Sequence, residues 1–117
     1  MGTERILVVD DEESMREFLT VVLSKEGYSV HAVGSGKEAL EALAQDGFAL
    51  LISDLRMPEM SGLELVALAR KRHPQLAVIV ITAFASLESA VEALRLGASD
   101  YIMKPFQVDE ILLVVAK

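Results

Sequence analysis

The chain contains no cysteine and no tryptophan, only three prolines, and 11 basic side chains against 18 acidic ones in 117 residues. Without cysteine there is no disulfide, no thiol nucleophile and no reason to require an oxidising compartment. The formal net charge of −7 disfavours contact with phosphodiester backbones, and no stripe of Lys and Arg offers a local exception. We therefore expect these residues not to bind nucleic acid directly.

Long apolar runs are also missing. Runs such as residues 77–81 are far shorter than the roughly 20 residues needed to span a bilayer. The first 13 residues carry acids where a secretory signal needs a long apolar stretch. These absences predict a cytoplasmic protein with no membrane segment.

The length and apolar content are those of one domain. With 52% apolar residues over 117 positions, the chain can bury a full core, about two-thirds of its unfolded surface. No linker or low-complexity stretch marks a second domain, so residues 1–117 are predicted to form one unit. The apolar run 111–115 has little polar relief before the sequence stops, so either the chain was cut from a longer protein or a partner covers this face. We favour the cut.

Short β-type runs alternate with helical stretches along the chain. The predicted strands cover residues 6–9, 29–33, 50–53, 78–82 and 101–103. The first, third and fourth are almost wholly apolar, as expected of parallel strands covered on both faces, and a helix-length crossover follows each strand. The pattern predicts an open parallel α/β sheet in (βα)5 order.

Apolar periodicity and capping residues delimit the helices. The first helix ends at Gly27, and a capping box of Ser35 and Glu38 opens the second. The third is predicted over 63–72, and the fifth begins near Val108 and continues to the end. Two inward-facing stripes are expected, in the first and fourth helices. The stripe of the first helix consists of Met15, Phe18, Leu19, Val22 and Leu23. The fourth helix is predicted to begin at Ser86 and end at Gly97, and its stripe consists of Leu87, Ala90, Val91 and Leu94.

Polar residues stand where four of these strands end. Asp10 and Asp11 follow the first strand, Asp54 follows the third, Thr82 ends the fourth and Lys104 follows the fifth. In an open α/β sheet, ligands gather at the carboxyl ends of the strands, near the point where the strand order reverses. We therefore expect three carboxylates, a hydroxyl and an ammonium to converge on one edge of the sheet.

Three neighbouring carboxylates need compensation. At about 4 Å and an effective dielectric of about 20, each pair would repel by roughly 4 kcal/mol. Either one carboxyl takes up a proton or a hard divalent cation binds, and Mg²⁺ is the ion expected for a small all-oxygen site. With that cation, Lys104 and Thr82 could stabilise phosphoryl oxygens while Asp54 supplies the attacking oxygen.

Each site residue also has a structural explanation. Asp10 and Asp11 could cap a helix with an acidic first turn, and Asp54 could be a turn residue. Thr82 could simply end a strand, and Lys104 could be solvated. Because all four coincidences would have to occur at the ends of four different strands, we favour the functional interpretation.

Four segments of the chain resemble the receiver domains of two-component response regulators. They are VVDDEE (8–13), ISDLRMPEMSGLEL (52–65), ITAFAS (81–86) and ASDYIMKPF (98–106). The resemblance covers the entire chain in the right order and implies a flavodoxin-like sheet of order 2-1-3-4-5 with helices on both faces. The phrase DLRMPEMSGLEL resembles the nitrogen-regulatory class, whose longer proteins add an ATPase that works on RNA polymerase and a DNA-binding domain.

The resemblance implies a role for each site residue. Asp54 would accept a phosphoryl group from a sensor histidine kinase, and Thr82 and Lys104 would contact that group. The implied Mg²⁺ ligands are Asp10, Asp11, Asp54 and the backbone carbonyl of Arg56. Tyr101 would be the aromatic switch.

The resemblance also implies partners and local geometry. The surface of the fourth helix, fifth strand and fifth helix would form a dimer or oligomer, and the first helix would meet the kinase. The bond from Lys104 to Pro105 would be cis, and Gly62 would adopt a backbone conformation that a side chain would hinder. Phe84 and Arg56 would flank the phosphoryl site and control its hydrolysis.

Two alternatives belong to other classes of protein. A Mg²⁺-dependent phosphohydrolase of the haloacid-dehalogenase type would carry a second Asp two residues after the nucleophile, where this chain has Arg56. A degenerate receiver acting only as a docking module would not need the complete acidic set. His31 and His73 are interpreted as structural or solvated, and Gly34-Ser35-Gly36 lacks the rest of a dinucleotide motif.

Overall fold

A computed structural model describes residues 4–45, 47–57, 59–83 and 86–116. Strands and helices alternate throughout these ranges. They are β1 (Arg5–Val9), α1 (Glu13–Lys25), β2 (Ser29–Val33), α2 (Gly36–Leu43), β3 (Phe48–Ser53), α3 (Gly62–Arg72), β4 (Ala77–Thr82), α4 (Leu87–Arg95), β5 (Asp100–Met103) and α5 (Val108–Ala116). The predicted (βα)5 order is confirmed, with strand bounds that differ by at most two residues.

All five strands are parallel and lie in the order β2-β1-β3-β4-β5. This is the order that the family resemblance implied. The chain runs outward from β1 to β2 and then returns to place β3 on the other side of β1, so the order reverses between β1 and β3. Val9 pairs with Ser53 in this register, and the residues that follow them therefore lie side by side.

The sheet is covered on both faces, as the apolar strands predict. Alternate residues of β1 belong to different cores: Leu7 and Val9 pack with α2, α3 and α4, whereas Ile6 and Val8 pack with α1 and α5. Successive side chains of a strand point to opposite faces, so the central strands are buried throughout. None of the helices in the described ranges is long and apolar enough to cross a membrane.

The predicted inward stripe of α4 is wrong. Leu87 is 82% exposed, Val91 54% and Leu94 50%, whereas Ala93 is fully buried. Leu96, just after the helix, packs against the core together with Ala93. Helical periodicity alone cannot distinguish two apolar stripes on one helix, and here the small residue lies toward the sheet while the larger side chains lie outside.

Capping residues set the helix bounds largely as predicted. Ser35 accepts a hydrogen bond from the Glu38 N–H at 3.2 Å, but the Glu38 carboxylate accepts from the Ser35 hydroxyl at 3.1 Å, so the pairing is not a full capping box. Gly27 and Gly97 follow α1 and α4 with φ of 95° and 118°, conformations that favour glycine. In α1, Leu19 and Leu23 are buried as expected, whereas Phe18 is 37% exposed.

Candidate functional site

Lys104 joins two carboxylates at the carboxyl ends of the central strands. Its Nζ lies 3.0 Å from Asp10 Oδ2 and 3.0 Å from Asp54 Oδ2. Asp10 and Asp54 directly follow neighbouring strands, and Lys104 reaches them across β4 from the end of β5. Asp10 is 3% exposed and Asp54 6%, so this ion-paired group is largely withdrawn from water.

Asp11 completes an acidic cluster at the same edge. Asp10, Asp11 and Asp54 each offer a carboxylate oxygen, and these atoms all lie within 4.8 Å of one another. Unlike the other two, Asp11 is exposed. The three predicted carboxylates therefore converge, with the solvent-facing side of the cluster open.

Burial and charge oppose each other within this cluster. Burial raises the pKa of Asp10, although hydrogen bonds from the Glu12 N–H and from Lys104 partly offset it. Burial alone would lower the pKa of Lys104, but its hydrogen bonds to Asp10 and Asp54 outweigh that effect and the pKa is raised. Lys104 is therefore held as a cation, while one carboxylate remains poorly compensated.

Backbone contacts fix the orientation of Asp54. Its N–H donates to the Val9 carbonyl at 3.2 Å, and its Oδ1 accepts from the Arg56 N–H at 3.2 Å. The hydroxyl of Ser53, which is fully buried, donates to the Asp54 carbonyl at 2.9 Å. Main chain and side chain are thus both anchored before any ligand arrives.

The loop between β3 and α3 approaches Asp54 closely at Gly62. A Cβ on Gly62 would lie 2.0 Å from the Asp54 carbonyl oxygen, so only glycine fits there. A side chain is hindered there, as expected, but by contact with the Asp54 backbone and not by a left-handed conformation of Gly62. Among the residues of this loop that the structure describes, Glu59 has a left-handed backbone, with φ of 71°, a feature that the sequence pattern did not reveal.

Thr82 ends β4 and Tyr101 lies on the neighbouring strand β5. Thr82 is fully buried, and its carbonyl accepts from the Lys104 N–H at 2.9 Å. Tyr101 is half-buried, and its hydroxyl lies 2.8 Å from Ser89 Oγ in the first turn of α4. Ser89 was missed in the sequence, although Ser-x-x-Ser at the start of a helix is a capping pattern that could have drawn attention to it.

An open depression of about 520 Å³ lies above the cluster. The residues that line it are Asp11, Glu12, Asp54, Arg56, Met57, Ala83 and Lys104. Glu12, which sequence reasoning did not assign to the site, places Oε1 3.7 Å from the Lys104 Nζ. A small phosphorylated group could therefore reach Asp54 from solvent. Phe84, predicted to flank the site, lies outside the described residues.

The structure also describes the Lys104–Pro105 peptide bond and the two histidines. The peptide bond from Lys104 to Pro105 is cis, as the resemblance implied. His31 is exposed on β2 with its ring near Phe48, and His73 is the C-cap residue that directly follows α3. Both histidines lie away from the depression above the acidic cluster.

Fold and site together define a class of protein: a flavodoxin-like α/β domain with an acidic, lysine-bridged cluster where the strand order reverses. Residues 6–116 match the family described as the response regulator receiver domain, and the chain belongs to this family. Receiver domains are signalling switches rather than classical enzymes, and histidine kinases are their family partners.

Curated relatives include transcription regulators of the nitrogen-regulatory class. The chain is 43% identical over 112 residues to the DNA-binding transcriptional regulator NtrC of Escherichia coli, covering 96% of this chain and 24% of that protein. It is 41% identical over 113 residues to the regulatory protein AtoC of the same organism, covering 97% of this chain and 24% of AtoC. The chain thus spans about a quarter of the length of these relatives.

The chain also resembles solved structures of a receiver domain protein and of NtrX. A receiver domain protein from Methanospirillum hungatei superposes with a TM-score of 0.95 at 35% identity, covering 98% of this chain and 92% of that one. NtrX from Brucella abortus, in complex with ADP, has a TM-score of 0.92 at 35% identity, covering 98% of this chain and 26% of NtrX. The resemblance to the nitrogen-regulatory class is therefore confirmed.

Proposed function

We propose that this domain is a phosphorylation-dependent switch that accepts a phosphoryl group from a sensor histidine kinase onto Asp54. The observation that carries the proposal is the placement of Lys104 Nζ at 3.0 Å from both Asp10 and Asp54, at the floor of a depression open to solvent. This geometry combines a nucleophilic carboxylate with a fixed cation that can pair with phosphoryl oxygens.

The donor set fits a Mg²⁺ ion. Three carboxylates with oxygens within 4.8 Å of one another form a hard, all-oxygen cluster, and the exposed Asp11 leaves room for water and phosphate ligands. Asp10, Asp11, Asp54 and the Arg56 carbonyl would hold the ion. When bound, it would neutralise charge on the phosphoryl oxygens and bring donor and acceptor together.

The chain's own residues perform the transfer. An Asp54 oxygen attacks the phosphorus of the kinase's phosphohistidine, the new O–P bond forms as the N–P bond breaks, and the imidazole leaves with its electron pair. Lys104 moves its hydrogen bond to a phosphoryl oxygen, and the Thr82 hydroxyl donates to another. Water then attacks the phosphorus of the aspartyl phosphate slowly, which releases inorganic phosphate and regenerates the Asp54 carboxylate, so the domain turns over little substrate.

The output is a change of surface. Phosphorylation adds nearly two negative charges at Asp54 and draws Thr82 toward them, which vacates space for Tyr101. Tyr101 would then give up its hydroxyl contact with Ser89 and turn inward. That loosens α4 beside a set of exposed apolar residues: Leu87, Val91, Leu94, Met103 and Leu113. This set, the α4–β5–α5 surface, would mediate homodimer or oligomer contacts and control output domains in a longer transcription regulator.

Intact mass measurement tests the phosphoacceptor. Incubated with acetyl phosphate and Mg²⁺, the domain should gain one phosphate, and Asp54→Ala should gain none. Asp109→Ala, which removes an exposed carboxylate in the first turn of α5, is the matched control and should still be phosphorylated. Unchanged labelling of Asp54→Ala would refute the assignment.

The same experiment separates the phosphohydrolase alternative. An enzyme of that class would release phosphate from a small ester over many rapid turnovers. Arg56 places a cation where such enzymes need a second acid, so we expect labelling without rapid turnover. A docking module with lost chemistry would show neither labelling nor turnover.

A further inference from the structure

Arg16 reaches from α1 to the end of β1. Its Nη1 donates to the Asp10 carbonyl oxygen at 2.8 Å, and the side chain is half-buried. That carbonyl belongs to the peptide that joins Asp10 to Asp11, the two consecutive carboxylates of the acidic cluster. The guanidinium therefore contacts the main chain of the cluster without touching any of its carboxylates.

The rest of Asp10 is held by other groups. Its N–H donates to the Val33 carbonyl at 3.2 Å, and its Oδ1 accepts from the Glu12 N–H at 2.9 Å. Its Oδ2 accepts from Lys104. These contacts fix the side chain and the preceding peptide, whereas the peptide that follows is oriented by Arg16.

Asp11 depends on that orientation more than its neighbours do. Asp10 and Asp54 have side-chain partners, but within the described ranges no group forms a hydrogen bond or ion pair with the exposed Asp11 carboxylate. Its position therefore depends on the course of its backbone and on its own rotamer. A turn of the preceding peptide would move this carboxylate away from Asp10 and Asp54.

The guanidinium occupies a fitted position. A Cβ built on Gly34 would lie 3.2 Å from Arg16 Nη1 and 3.7 Å from Cζ, so the loop between β2 and α2 leaves space where the planar group lies. Arginine suits this place because its planar fork loses little freedom when it donates to a carbonyl. A merely solvated arginine would not need such a contact.

We propose that Arg16 is a positioning residue for the cation site: it fixes the peptide between Asp10 and Asp11 and thereby aims the Asp11 carboxylate at Asp10 and Asp54. This inference rests on the proposed function, since it concerns the same Mg²⁺ site. Arg16 would thus orient a metal ligand without binding the metal. Removing such a residue commonly lowers metal affinity by about 10–100-fold.

Mg²⁺ affinity of the unphosphorylated domain, measured by calorimetric titration, tests the inference. Arg16→Met should raise the Kd by about tenfold, and Arg16→Lys should recover part of the loss because an ammonium can still donate to the carbonyl. Arg70→Met is the matched control. Arg70 also donates to backbone carbonyls, those of Pro74 and Leu76, but at the opposite end of the sheet. Its loss should lower the Tm and leave the Kd unchanged.

A second variant keeps arginine in place. Gly34→Ala adds a methyl 3.2 Å from Nη1, so the guanidinium must shift by a few tenths of an ångström against its contact with the Asp10 carbonyl. Like Arg16→Met, it should raise the Kd for Mg²⁺, and it should disturb packing less because the arginine side chain stays in place. This variant tests the inference even if Arg16→Met folds poorly.

The outcomes distinguish this inference from the proposed function. If the wild type binds Mg²⁺ and Asp11→Asn weakens binding, but both Arg16→Met and Gly34→Ala bind as the wild type does, the role of Arg16 is refuted alone. Equal losses of affinity in Arg16→Met and Arg70→Met would also refute it, because they would reflect general loosening. If the wild type itself binds no Mg²⁺, the proposed cation site fails and the inference falls with it.

Discussion

At the scale of single residues, Asp10 is where folding and the proposed chemistry conflict. Its carboxylate is 3% exposed, and burial raises its pKa despite hydrogen bonds from the Glu12 N–H and Lys104. The unliganded fold therefore carries a charge that it stabilises poorly. A bound cation would compensate this buried charge, so stability and cation binding should be linked at this residue.

Asp10→Asn should stabilise the domain in the absence of metal. A carboxyl with a raised folded pKa stabilises the fold fully only below its unfolded pKa, and this contribution is lost as the pH rises through the folded pKa. The variant should therefore gain about 1 kcal/mol in free energy of unfolding at pH 7, and the gain should disappear below about pH 3.9.

Urea unfolding across this pH range measures the difference. Asp109→Asn, at an exposed site, should show no such gain. A gain for Asp10→Asn that persists at low pH would contradict the electrostatic explanation.

Glu59 stores backbone strain at the loop between β3 and α3. Its φ of 71° lies in the left-handed region, which costs a residue with a Cβ roughly 1–2 kcal/mol. Glycine avoids that cost but loses about 0.5–1 kcal/mol in chain entropy on folding. Glu59→Gly should therefore raise the free energy of unfolding by about 0.5–1 kcal/mol, measured by urea denaturation. Glu59→Ala keeps the Cβ and should give no comparable gain.

At the scale of an element, a contact between two hydroxyls joins α4 to β5. Ser89 Oγ accepts from the Ser86 N–H at 3.2 Å, and the Ser89 N–H donates to Ser86 Oγ at 3.0 Å. Ser89 Oγ also lies 2.8 Å from the Tyr101 hydroxyl on β5. A cap that stabilises the first turn thus also holds the ring that we propose to move.

A double-mutant cycle tests this link between cap and ring. Ser89→Ala and Tyr101→Phe each remove the same hydroxyl contact, so their destabilising effects should be less than additive, with a coupling of about 0.5–1 kcal/mol. Thermal or urea unfolding of the two single variants and the double variant provides the measurement. Tyr28→Phe, the other tyrosine, should be additive with Ser89→Ala; additivity for Tyr101→Phe as well would show that the contact contributes nothing.

At the scale of the whole molecule, the exposed apolar residues are unevenly distributed. Leu87, Val91 and Leu94 of α4 lie outside the core, with Met103 of β5 and Leu113 of α5 also more than half exposed. Exposed apolar patches on soluble domains commonly mark contact sites. This distribution supports the proposal that phosphorylation acts through the α4–β5–α5 surface.

Leu87→Glu should weaken self-association of the phosphorylated domain without unfolding it. The side chain is 82% exposed, so the free energy of unfolding should change by less than about 0.5 kcal/mol. Sedimentation velocity with and without acetyl phosphate measures the association. Val21→Glu adds the same charge at a residue of α1 that is 54% exposed, and should leave association unchanged. Equal loss in both variants would point to general charge repulsion instead.

Most of the architecture could be predicted because its signals are local. Apolar runs, Gly27, Gly97 and the serine caps mark elements from neighbouring residues, and Asp10, Asp54 and Lys104 stand directly after strands. The prediction failed where two local solutions are equivalent. In α4, helical spacing allows either the face with Ala93 or the face with Leu87 to be buried. Packing against the sheet decided that the Ala93 face is buried.

The sequence by itself determined the alternation of strands and helices, the carboxylates at the strand ends and the family. These follow from periodicity and from residue types that lie close together along the chain. Only the tertiary structure decided that Lys104 meets Asp10 and Asp54, 94 and 50 residues away, that Arg16 contacts the Asp10 carbonyl and that Tyr101 meets Ser89. Such contacts depend on where separate elements pack, and packing is set by the shape of the whole core.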